Sequence, residues 1–143
     1  MHRHNIYSDW SRHLFADAAV VAGSTRTIYL AGMAAEDPCD GHVHYPGDCV
    51  AQTRMAYEKI TKLLAAEGAG LGDIVRAVTY LTDIRDKEVY ENEQQRALTG
   101  ISPPPHTIVE VTGLAWPGMV VEIDITAVVE ARERGDATEK PVP

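Results

Sequence analysis

Aromatic side chains are scarce in this sequence, which has one Phe, two Trp and six Tyr in 143 residues. Platforms that stack single-stranded nucleic acid need aromatics spaced along a basic groove. Positive charge is short as well: 13 Lys and Arg stand against 21 Asp and Glu, a formal charge of -8. That balance disfavours nucleic acid and anionic membrane surfaces as partners. No apolar run approaches the roughly 18 residues of a membrane-spanning helix. The first residues, MHRHNIYSDWSRH, lack the apolar stretch of a signal peptide, so a cytoplasmic protein is expected. Cysteine is limited to Cys39 and Cys49. Without an export signal these read as reduced thiols, and their spacing fits no zinc pattern. The pairs His2/His4 and His42/His44 have no third ligand nearby and read as solvated loop histidines, so no metal is expected. Nucleotide-binding glycine motifs, the P-loop, H-E-x-x-H and G-x-S-x-G are all missing. The chain is too short for a TIM barrel of about 250 residues or a cleft between two domains. Any active site is therefore shallow or shared with another copy of the chain.

What is present reads as one domain over residues 1–131, followed by a charged, Pro-bearing tail at 132–143 that is expected to fray. Ala19–Val21 and Thr27–Ala31 flank a Gly-containing turn and suggest a hairpin. Residues 35–48 are loop-like. A helix follows, with Asp48 as N-cap and Gly68 beyond its end. Its apolar set is Ala51, Met55, Ala56, Ile60, Leu63 and Leu64, with Gln52, Arg54, Glu58, Lys59 and Lys62 mostly on the other side. Ile74–Thr82 is a strand, and Asp86–Leu98 a more polar helix ended by Pro103-Pro104-Pro105. His106–Val111 and Val120–Val129 are further strands. The order β-β-α-β-α-β-β predicts an α+β fold, a mixed sheet with both helices on one face. The strands carry apolar residues at both parities. The second sheet face therefore needs a partner, most economically a second copy.

Two polar positions stand out in apolar strands. His106 opens its strand directly after three prolines, which fix the approach of the chain. Glu122 and Asp124 sit two apart and so share one face. They are read either as the solvated face of an edge strand or as carboxylates at a subunit interface. In the second case Glu122 is a general base or water-orienter with a raised pKa.

At these segments the sequence resembles the RidA/YjgF reactive-intermediate deaminase family across residues 16–131. IYLAGM (28–33) is similar to the family's strand ending in Ser-Gly-Gln. DCVAQTRMAYEKITKLLAAEGAGLGDIVRAVTYLTDIRD (48–86) resembles its long helix, Gly-containing turn and Asp-Ile-Val strand. PPPHTIVEV (103–111) stands where the family has Pro-Ala-Arg-Ser-x-Val-Glu-Val, and GLAWPGMVVEIDITAV (113–128) resembles its closing strand. The resemblance implies a chorismate-mutase-like fold, a homotrimer with active sites between subunits, and cofactor-independent hydrolysis of enamines or imines. It places the water-orienting glutamate on Glu122 and the cleft glycine on Gly32, flanked by Ala31 and Met33. Ile108, Asn92 and Phe15 take the positions of further cleft residues. The arginine that clamps a substrate carboxylate is His106 here. A guanidinium is an always-charged, two-pronged fork, whereas an imidazole is shorter and largely neutral near pH 7.

Three functions follow as expectations. The first is hydrolytic deamination of a small enamine or imine, with Glu122 activating water and His106 binding or donating a proton. The second is another acid–base reaction in the same cleft, such as tautomerisation, dehydration or cyclisation, using a His106/Glu122 pair. The third is a non-catalytic, metabolite-binding trimer.

Overall fold

A computed structural model describes residues 1–131; the predicted tail at 132–143 lies outside the described residues. Its strands are β1 (His2–Ile6), β2 (Ala18–Ala22), β3 (Thr25–Tyr29), β4 (Ile74–Leu81), β5 (His106–Glu110) and β6 (Val121–Glu130). Its helices are α1 (Cys49–Ala66) and α2 (Lys87–Ala97). Four strands form a mixed sheet in the order β3-β6-β4-β5, in which only the β4–β5 pair is parallel. A separate antiparallel ladder joins β1 to β2. No helix among the described residues is long and apolar enough to cross a membrane.

The central strand β6 shows why the sheet has two unlike faces. Val121, Ile123, Ile125 and Ala127 are buried, while Glu122, Asp124 and Thr126 between them are only partly so. Successive side chains of a strand alternate between faces. The buried set meets Ala77 and Leu81 of β4, Ile60 and Leu64 of α1, and Tyr90 of α2 in one apolar cluster. Both helices thus cover one face, as the element order predicted. β6 lies between β3 and β4, so the reading of Glu122 and Asp124 as an edge-strand face does not hold.

α1 begins where expected. The Asp48 carboxylate accepts from the Ala51 N–H at 3.0 Å, satisfying one of the open donors of the first turn. Gly68, at φ 70°, takes the left-handed conformation just past its end. The buried stripe is turned relative to the predicted one. It runs through Cys49, Gln52, Thr53, Ala56, Tyr57, Ile60 and Leu64, with Ala51, Met55 and Leu63 half-buried at its margin. Gln52, expected outside, is fully buried because its amide is fully used. Its Nε2 donates to the carbonyls of His44, Tyr45 and Gly118 at 2.9–3.1 Å, and its Oε1 accepts from Val120 N–H at 2.9 Å. Lys59 turns inward too, donating to the carbonyls of Ala34 and Glu36 at 2.8 Å each.

The N-terminus departs furthest from expectation. Residues 2–6 form β1, so His2 and His4 stand on a strand and not in a loop. No ladder joins β2 to β3: the predicted hairpin is replaced by β1–β2 and β3–β6 pairing. Cys39 is exposed, Cys49 is buried, and both are free. Burial pushes the Cys49 thiol up to about 11, which leaves it unreactive near neutral pH.

Candidate functional site

Glu122 faces away from the helices, opposite Tyr80 in the β4–β6 register. The segment after β3 is folded around its carboxylate. Tyr29 pairs with Thr126, but Met33 pairs with Ile123, so four steps on one strand meet three on the other. The extra residue is accommodated between them, in the manner of a bulge. There Gly32 lies so close to Glu122 that a Cβ on it would stand 1.9 Å from Oε1. Glycine is required at this point by close approach. Glu122, Asp124, Tyr80, Ala31 and Gly32 line a cleft of about 540 Å³, closed on another side by Gly113, Leu114 and Ala115. Burial pushes the Glu122 carboxyl above its ordinary value, and the charges of Glu36 and Asp124 add to the shift.

His106 lies on the other face. It pairs with Ala77 of β4, three residues from Tyr80, and an odd separation reverses the side. Its imidazole is tied into a buried polar network. The Gln94 amide donates to Nδ1 at 3.2 Å, which leaves the ring proton on Nε2, and that N–H donates to Thr79 Oγ1 at 2.9 Å. Thr79 donates on to the Tyr90 hydroxyl at 2.7 Å, and Tyr90 meets the Tyr57 hydroxyl at 3.3 Å. Thr79 and Tyr90 are fully buried, and Gln94 nearly so. Burial, with a smaller contribution from the Lys87 charge, holds the His106 pKa down at about 4. His106 is therefore neutral at neutral pH, with both nitrogens engaged.

Beside His106 opens a second cleft, of about 530 Å³, between the segment carrying Trp10–Phe15, the face of α2, and residues 98–103. Phe15 and Ile108 line it, and Trp10 packs edge-on against Phe15 with ring centroids 5.4 Å apart.

The predicted residues thus fall into two groups. Glu122, Gly32 and Ala31 share one cleft, and His106, Phe15 and Ile108 share the other. Two positions leave the clefts. Met33 hydrogen-bonds Ile123 through its backbone and packs on the helix-covered core. Asn92 is exposed on α2, whose inward face carries Tyr90 and Gln94 instead. Sequence reasoning missed Thr79, Tyr90 and Gln94 as partners of His106. The only trace of them was the i, i+4 spacing of Tyr90 and Gln94 on an otherwise polar helix. Among the described residues, no group of three His, Cys, Asp or Glu side chains is placed to hold a metal.

Comparison with known proteins places this arrangement. Residues 11–129 match the family model described as Endoribonuclease L-PSP. The chain is 34% identical to protein DfrA of Myxococcus xanthus over 110 residues, 77% of this chain and 82% of that one. It is 32% identical to the 2-iminobutanoate/2-iminopropanoate deaminase of Capra hircus over 107 residues, 72% of this chain and 73% of that one. Among solved structures, the Rid-family protein YyfB from Yersinia pestis superposes with a TM-score of 0.76 at 25% identity, covering 90% of this chain and all of that one. By its sequence, its mixed sheet with two helices on one face, and these likenesses, the chain belongs to the RidA/YjgF family.

Proposed function

We propose that this protein is a cofactor-independent cytoplasmic hydrolase that deaminates a small imine or enamine. Its site is assembled from two chains of a homotrimer, the Glu122 cleft of one against the His106 cleft of another. The observation that carries the reading is the fit of Gly32 to Glu122, which holds a half-buried carboxylate in a cleft and leaves it room to meet a water. The Glu122 carboxylate takes a proton from water as the oxygen attacks the imine carbon. The carbinolamine so formed gives up its nitrogen as ammonia once that nitrogen is protonated, and a carbonyl compound remains. A carboxylate in a partly dry site is a stronger base than one in water, which suits it to this task. The deaminase activity named for the relative from Capra hircus supports the same chemistry. The placement of the two clefts on opposite faces of the sheet supports a site shared between chains. A net charge of -8 fits a metabolite better than a nucleic acid. With both His106 nitrogens engaged, an acid–base reaction using a His106/Glu122 pair loses its proton donor.

Ammonia release from imines generated in situ tests the proposal. The natural chain should accelerate it, and Glu122→Gln should reduce the acceleration at least about 100-fold with the fold intact. An unchanged rate in that variant would refute the role of Glu122.

A further inference from the structure

Among the described residues, the floor of the His106 cleft carries no cation. Both imidazole nitrogens are engaged with Thr79 and Gln94, and Tyr90 closes the network behind them. Arg12 and Lys87, the basic side chains that line the cleft, are exposed, and both are paired. Arg12 is exposed and lies 3.4 Å from Asp9, while Lys87 makes a 2.8 Å ion pair with Glu91 one turn along α2. His13 is exposed beside them. The deeper walls are apolar, with Phe15, Leu98, Ile101 and Ile108. The other cleft supplies Glu122 and Asp124, two acidic side chains.

A substrate carboxylate in such a place would find only exposed Arg12 and Lys87, each already in an ion pair, and would face two more carboxylates, which is costly. An uncharged imine loses nothing there, and a protonated iminium gains from Glu122 and Asp124. We propose that the site selects imines that bear no carboxylate, aldimines or ketimines with an apolar substituent, in preference to 2-imino acids. This rests on the deaminase reading above. It departs from the substrates in the names of the iminobutanoate/iminopropanoate deaminases, relatives of this chain at about a third identity. His106 is the specificity-determining residue in this account, acting through its lack of charge and of free donors.

Two imines with one hydrocarbon skeleton test it. An amino-acid oxidase acting on phenylalanine supplies the 2-imino acid, and a flavin amine oxidase acting on 2-phenylethylamine supplies the aldimine without the carboxylate. The aldimine should be hydrolysed with a kcat/KM at least about tenfold higher. Equal rates, or a preference for the imino acid, would overturn the proposal. If neither imine is hydrolysed faster than in buffer, the deaminase reading fails, and calorimetry decides the cleft's preference separately. Phenylacetone should then bind about tenfold more tightly than phenylpyruvate. Equal or tighter binding of phenylpyruvate overturns the selectivity as well.

Discussion

At the scale of single residues, the site turns on a contact that only glycine permits. In Gly32→Ala the new methyl would stand 1.9 Å from Glu122 Oε1, so the carboxylate must swing away. Misplacing a catalytic group by about 1 Å can cost on the order of 100-fold in rate. Gly32→Ala should therefore lose about that much kcat/KM for imine hydrolysis, with a small change in thermal midpoint. The pH profile carries a second prediction. In the proposed mechanism Glu122 must be ionised to take a proton from water, and burial has raised its pKa. The rate should fall on the acid side at a higher pH than an ordinary glutamate would dictate. Glu36→Gln removes one of the charges that raise the Glu122 pKa, so it should move that limb to lower pH. For His106 the sign concerns stability. Its folded pKa of about 4 lies below the ordinary 6.5, so the unfolded chain takes up the proton first as pH falls. Its contribution is complete above pH 6.5 or so and is lost between there and about 4. Thermal midpoints of the natural chain and His106→Gln, compared across that window, should converge as the pH drops.

At the scale of elements, Gln52 joins the start of α1 to two loops. Its amide serves the 44–45 turn and the 118–120 approach to β6 together. Gln52→Ala would leave three carbonyls and one N–H without that partner in a fully buried place. Denaturant unfolding should show a loss of about 2 kcal/mol or more. Most elements were legible in the sequence. The limits of α1, β4, α2 and β5 fall within a residue or two of those predicted, because caps, glycines and prolines mark them locally. The phase of the α1 stripe was not legible. A glutamine reads as a surface residue until the carbonyls it serves are known, and those come from positions up to 66 residues away. Strand β1 was hidden for a like reason. Its half-buried side, Arg3 and Asn5, is polar, so no hydrophobic alternation announces it.

At the scale of the whole molecule, the opposite placement of the two clefts makes a prediction about assembly. Sedimentation should find trimers. A stronger test is mixing. In the proposed trimer Glu122→Gln damages one half-site, and Gln95→Trp, on the exposed face of α2 that lines the other cleft, blocks the second. Each variant alone should be inactive. Unfolded and refolded together in equal amounts, they should recover about a quarter of the natural activity, the share of sites whose two halves are both intact. No recovery would mean that each site lies within one chain.

By itself the sequence determined the α+β class and the order of the elements from β2 onward. It also put Glu122 and Asp124 on one strand face, since a two-residue period is a local property of the backbone. The tertiary structure alone decided where His106 stands. Its face depends on the parallel register of β5 against β4, its neutrality depends on burial, and its ring nitrogens are engaged by Thr79 and Gln94, which come from two other elements. The sequence showed a histidine opening β5; only the packing showed that both its ring nitrogens are engaged and that burial keeps it neutral. Register and burial are relations between distant segments, and no local pattern encodes them.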